Sequence, residues 1–267
     1  MSKTRAIRSW WVFATLALFL APLAVAQNDV SVTLTSAGGY SDDGIYVSPY
    51  YADVNGTQNT KVVCDDFKDE SYVGTTWNAN IVSFSSLSAT NIPTAWGNSL
   101  GVSASTFKLY EEAAWLTIQT LGQIPGSQGQ INYSYAVWAT FDPSGVATYL
   151  DNNGNPSAAN MALCNAIFGS GNCASTKVTG GLLAQAQGNS YYAGEFANVV
   201  IITPLVQGTS TVCAAESTSG NICPAQEFME VVSEGGAAAA YLFMAGVCCF
   251  GAMFLKKRQQ TRLVAVI

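Results

Sequence analysis

The sequence predicts an α+β fold: an antiparallel, β-rich ectodomain with a few short helices, plus one C-terminal transmembrane helix. Three observations predict it. Short runs of alternating apolar and polar residues fill the first third of the ectodomain, which is the period of half-buried strands. From Phe107 the apolar period lengthens to that of a helix. Residues 235–255 form an uncharged stretch of 21 residues, about 31 Å long as a helix against a hydrocarbon core of about 30 Å.

The strands come first. Val30, Val32 and Leu34 alternate with polar residues, and Gly38-Gly39 ends the run. Residues 45–51 and 60–64 are two further β-type runs, separated by Asn55-Gly56, a strong hairpin signal. Residues 77–84 alternate again. Then Phe107, Tyr110, Ala114, Ile118 and Leu121 share one helical face, with Ser105 as the cap and Gly122 and Pro125 as the stop. A second helix is expected over 131–141, ended by Asp142-Pro143, and weaker helices over 156–168 and 181–187. The β-branched run 196–203 closes at Pro204, and 226–232 is the last strand expected, after a Gly, Ser and Thr rich insertion at 207–221.

Charge and composition exclude several classes of function. All 17 acidic residues lie between Asp29 and Glu234, with only Lys61, Lys68, Lys108 and Lys177 among them, so this part carries a net charge of −13. Such a surface repels phosphate backbones, and no nucleic-acid partner is expected. The chain has no histidine, which removes the imidazole base of the common hydrolases and the histidine zinc sites. No cofactor and no catalytic residue is assigned, and the protein is expected not to be an enzyme.

The two ends set the compartment. Lys3, Arg5 and Arg8 precede an apolar run and then Ala24-Val25-Ala26, the pattern of a secretory signal peptide over residues 1–26, with cleavage between Ala26 and Gln27. Residues 27–234 are the exported ectodomain. Lys256, Lys257, Arg258 and Arg262 follow the uncharged stretch, so the positive-inside rule leaves 256–267 as a basic cytoplasmic tail.

Seven cysteines divide by location. Cys248 and Cys249 lie within 235–255. The other five are Cys64, Cys164, Cys173, Cys213 and Cys223, an odd number in an exported domain. Two bridges can be chosen among five thiols in fifteen ways, and the simplest are the two local closures, Cys164 with Cys173 and Cys213 with Cys223. Each contributes on the order of 2 to 3 kcal/mol in the loop-entropy picture. Cys64 is then the unpaired thiol.

Other constellations have plainer readings. Asp65 and Asp66 are adjacent on a strand and point to opposite faces, so a turn explains them better than a carboxylate pair. Glu111 and Glu112 lie about 100° apart on their helix, which leaves Glu112 as the inward candidate. Asp151-Asn152-Asn153-Gly154-Asn155 lacks the spacing of a calcium loop and reads as a turn. Trp77, Trp96, Trp115 and Trp138 could build a sugar-stacking platform, and core packing explains them equally.

Two resemblances add to these readings. Ser233-Glu234-Gly235-Gly236, followed by the uncharged stretch and Lys256-Lys257-Arg258, resembles the PEP-CTERM sorting signals of Gram-negative bacteria, in the Glu-Gly-Gly variant of acidobacterial members. The resemblance implies the inner membrane and an exosortase-type sorting enzyme as partners, with exopolysaccharide or other surface proteins beyond them. Cys64-Asp65-Asp66-Phe67, the run 110–116 and Tyr135-Ala136-Val137-Trp138 resemble segments of the same exported proteins. They are more distantly similar to the thioester domains of Gram-positive adhesins, which join an early Cys to the Gln of a Gln-x-Ala-Ile/Val-Trp motif and bind a host amine. Here Ser134 stands four before Trp138, and Gln130 lies one turn further back, so a buried structural thiol is expected at Cys64. The function expected is an exported, non-enzymatic envelope or extracellular-matrix protein, sorted or anchored by its C-terminal signal. The alternative is a surface adhesin or carbohydrate-binding protein with a functional Cys64 region.

Overall fold

A computed structural model of the chain describes residues 29–232, apart from 43, 68, 170–172, 174–176, 216–222 and 224. The signal-peptide site Ala26 and Gln27, the sorting segment Ser233 to Gly236, the stretch 235–255 and the tail with Lys256, Lys257 and Arg258 lie outside the described residues.

The strands are β1 (Val30–Ser36), β2 (Ser41–Asp42), β3 (Ile45–Tyr46), β4 (Tyr50–Val54), β5 (Thr57–Cys64), β6 (Thr76–Ser83), β7 (Val199–Pro204) and β8 (Phe228–Val231). Six of them close into an antiparallel barrel in the order β1-β4-β5-β8-β7-β6, with β6 pairing back onto β1. Closure gives each of these six strands a partner on both sides. The β4–β5 turn is Asn55-Gly56, with φ of 48° and 80°, the two positive values that a type I′ hairpin turn requires. Strands β2 and β3 form a separate small hairpin.

Between β6 and β7 run the helices α1 (Ala95–Leu100), α2 (Ala104–Gly122), α3 (Gln128–Phe141), α4 (Pro143–Asp151), α5 (Ala158–Phe168) and α6 (Gly181–Gly188). Side-chain caps start five of them. Thr94, Ser103, Ser127, Asp142 and Ser157 each accept a backbone N–H from three residues on, supplying a partner to an otherwise orphaned donor. The cap of α2 is thus Ser103 rather than Ser105, which sits within the first turn.

Alternation sorts the barrel strands into two packing faces. The Phe228 ring meets Tyr50 and Trp77 at 5.9 and 6.0 Å, and both lie two strands away, so these contacts cross the lumen. Val32, Leu34, Ala52, Val62 and Cys64 belong to the same cluster. On the outer face, Val82, Val199, Ile201 and Met229 pack against Trp96, Tyr110 and Phe141 of the helices, with Trp96 stacked on Phe141 at 5.1 Å.

The fold class expected from the sequence is corrected on two points. The antiparallel sheet is not an open layer with helices on one side but a closed barrel, because β1 and β6, the first and the sixth strands in sequence, pair with each other. Alternation reveals which residue faces the core and is silent about which strand lies beside which. The expected C-terminal transmembrane helix is also not found: no helix among the described residues is long and apolar enough to cross a membrane. The longest, α2, carries Lys108, Glu111 and Glu112. An uncharged run is a fact of composition, and 235–255 lies outside the described residues.

Smaller differences have local causes. The run expected over 45–51 is divided by Pro49, which has no N–H for a ladder. Asp142-Pro143 ends α3 and at once starts α4, with Asp142 as cap and Pro143 in the first turn, a place proline favours.

Candidate functional site

The β5–β8 ladder places two distant segments side by side. Cys64 pairs with Phe228, and the pairing continues outward as Asp65 N–H donates to the Glu227 carbonyl at 3.3 Å. The next rung is made by a side chain: Gln226 Nε2 donates to the Asp66 carbonyl at 2.7 Å. Cys64 Sγ–H donates to the same Asp66 oxygen at 3.0 Å. One carbonyl, with two lone pairs, therefore holds both the thiol and the carboxamide. Sγ and Nε2 lie within the sum of these two short distances of each other.

Each partner is held by its surroundings. Cys64 N–H donates to Ser48 Oγ at 3.2 Å, and Ser134 Oγ, from α3, donates to the Ser48 carbonyl at 3.4 Å. Gln226 N–H donates to Ser71 Oγ at 2.9 Å. Helix α3 covers this end of the barrel with Tyr135 and Trp138, whose rings are 4.9 Å apart, and Phe67 packs on Trp138 at 5.3 Å. Cys64 is fully buried and unpaired, while Gln226 is half-buried.

Burial pushes the Cys64 thiol well above its ordinary pKa, and the Asp66 and Asp65 charges add to this. The hydrogen bond to the Asp66 backbone and the Trp138 side chain work in the other direction. Among the described residues the Trp138 indole N–H makes no hydrogen bond of ordinary geometry, yet it lies near enough to the sulfur to favour the thiolate. Tyr50 is likewise raised, by burial first and then by Cys64 and Tyr135.

On the opposite face of the same rungs lie Asp65 and Glu227, both buried. The Glu227 carboxylate accepts from Tyr110 Oη–H of α2, Thr203 Oγ1–H of β7 and the Ala95 N–H that opens α1, the last at 2.7 Å. Among the described residues, no N–H or hydroxyl of another residue makes a hydrogen bond to the Asp65 carboxyl oxygens. What faces them is the Glu227 carboxyl, and burial followed by that neighbour pushes Asp65 well above the usual carboxylate range. Burial raises Glu227 too, against the pull of its donors, so one proton held between the two carboxyls would satisfy both groups.

The other candidates from the sequence go elsewhere. Cys164 is bridged to Cys173 and Cys213 to Cys223, with Cα atoms 5.4 and 5.7 Å apart. Such bridges persist in oxidising compartments and fit an extracellular protein. Glu112 is buried beside Lys108, Nζ to Oε1 3.7 Å, and Asp66 Oδ1 accepts the Asp69 N–H, so the two carboxylates serve separate local partners. Asp151 Oδ2 caps the turn at the Gly154 N–H, 2.8 Å away. Trp77, Trp96 and Trp138 are buried and present no stacking platform, and Trp115 packs on Tyr133. Gln130 accepts the Gly126 N–H at 2.8 Å, within its own turn.

Gln226, which shares the Asp66 carbonyl with Cys64, is the residue that sequence reasoning missed. The signal that could have found it is the pairing of the strand ending at Cys64 with the run starting at Gln226, which brings an amide to the thiol.

No family model and no curated protein matches this chain. Among solved structures it is similar to the N-terminal domain of the Streptococcus pyogenes pilus tip adhesin Cpa, at 9% identity and a TM-score of 0.38, over 78% of this chain and 95% of that one. It is also similar to the N-terminal thioester domain of the fibronectin-binding protein SfbI from Streptococcus pyogenes, at 12% identity and a TM-score of 0.35, over 77% and 94%.

Proposed function

We propose that this protein is an exported surface adhesin whose barrel carries an internal thioester between Cys64 and Gln226. The observation that supports it is the shared Asp66 carbonyl, which holds the Cys64 thiol at 3.0 Å and the Gln226 amide at 2.7 Å. In forming the thioester, the Cys64 sulfur adds to the Gln226 side-chain carbonyl carbon. The C–N bond breaks, and the thiol proton leaves with the nitrogen as ammonia. A primary amine on a partner then attacks the same carbon, the C–S bond breaks, and a proton returns to Cys64. The product is an amide cross-link formed once, without turnover, which is adhesion rather than enzymatic catalysis. Burial of Cys64 under Trp138 and Phe67 protects the thioester from water, and half-buried Gln226 is the side an amine can reach.

Export through the signal at Ala26 and Gln27, and sorting by an exosortase-type enzyme that reads Ser233-Glu234-Gly235-Gly236 and Lys256-Lys257-Arg258, would deliver this domain to the envelope or matrix. There, amines of exopolysaccharide or of other surface proteins are the partners in reach.

Intact mass of the full chain as recovered from its host tests the reading. The parent is expected to be lighter by one ammonia beyond its two disulfides and to gain methylamine on incubation. Cys64→Ala and Gln226→Ala should abolish both effects, and Gln130→Ala should abolish neither. A parent with full mass and a Cys64 thiol that alkylates completely after unfolding would sink the proposal.

A further inference from the structure

We infer that Asp65 and Glu227 are positioning residues, a buried carboxyl pair joined by one proton that clamps the Cys64 and Gln226 segments in the register their reaction needs. The inference rests on the thioester reading above and adds to it a device on the opposite face of the ladder. Asp65 follows Cys64 directly, and Glu227 follows Gln226 directly. Any movement of one carboxyl against the other therefore shifts the thiol against the amide by the same backbone. Side chains alternate across a strand, so the clamp can act from the outer face without occupying the space where sulfur meets carbonyl carbon.

The clamp is anchored from three elements. Tyr110 from α2, Thr203 from β7 and the Ala95 N–H at the start of α1 all donate to Glu227. Tyr110 in turn accepts the Trp96 N–H at 3.3 Å, tying the helix layer to the same point. With Asp65 as fourth donor, the Glu227 carboxylate has a hydrogen bond for each of its lone-pair sites. The only donor among these whose proton can leave as a carboxylic acid is Asp65. The titratable groups that bear on it are Glu227 from the β8 segment, Asp66 from its own loop and, through its hydroxyl, Tyr110 from α2, with Cys64 adjoining.

Two facing carboxylates in a buried site repel and lose their bond, so the clamp opens as pH rises. Asp65 is raised in the folded chain, so its contribution is complete below the ordinary carboxylate pKa and declines as pH rises toward and through the raised value.

The test compares the parent full chain with Asp65→Asn and Asp65→Leu, reading the rate of ammonia loss by mass and the melting temperature, both across pH. Asp65→Asn keeps a donor that cannot ionise. It should form the thioester as the parent does at low pH, and its rate and melting temperature should lack the parent's alkaline decline. Asp65→Leu should form it about tenfold more slowly, as expected when one buried hydrogen bond is removed. Identical pH profiles for the parent and Asp65→Asn in both readouts would overturn the inference. If no variant and no parent loses ammonia, the thioester reading fails, and the melting profiles alone decide the clamp: a decline in the parent that Asp65→Asn lacks supports it, and superimposable profiles refute it.

Discussion

The two faces of the β5–β8 ladder use the same rungs for opposite ends. On the inner face, the Cys64 thiol and the Gln226 carboxamide both donate to a single carbonyl, that of Asp66. On the outer face, Glu227 takes donors from α1, α2 and β7, and the buried Asp65 carboxyl faces it. The difference teaches that a reactive pair need not be rigid in itself. Rigidity can be supplied one residue away, where period-2 alternation puts the supporting groups out of the way of the chemistry.

Four substitutions break or sharpen this contrast. Phe228→Ala, which empties the lumen contact with Tyr50 and Trp77, should cost about 3 to 5 kcal/mol by chemical denaturation. Glu227→Leu leaves Tyr110, Thr203, Ala95 and Asp65 without their acceptor and should cost about 3 kcal/mol in the same measurement. Thr203→Val removes a single donor and should cost about 1 kcal/mol while thioester formation persists. Gln226→Ala should change stability by less than about 1 kcal/mol, since its amide is half-buried, and yet abolish methylamine uptake completely. An outer-face substitution that abolishes uptake without loss of stability would reverse the assignment of roles.

Much of the local structure was legible in the sequence. The Asn55-Gly56 turn follows from residues that tolerate positive φ, and the alternation of Val30, Val32 and Leu34 follows from one buried face. Asp142-Pro143 was legible as a helix end, but its role as the next helix start was not, because a cap and a stop use the same residues. Helix α1 was not legible either. Gly97, Asn98 and Ser99 are poor helix formers, and it is the Thr94 cap and the buried Trp96 that hold the turn. At the site, Cys64 stood out as the odd cysteine, whereas Gln226 had no feature to separate it from the other glutamines of the chain.

What the sequence determined by itself is the set of local choices: where strands alternate, where polar side chains cap helices, which cysteines are near enough to close short loops, and that the domain is acidic and without imidazole. Those depend on neighbours within a few residues, and their physics is complete at that range. The tertiary structure alone decided that β6 returns to β1 to close the barrel, that Asp65 faces Glu227, and that Cys64 and Gln226 converge on the Asp66 carbonyl. Strand pairing joins residues far apart in the chain, and its register is selected by the burial of whole faces at once, which no local pattern encodes.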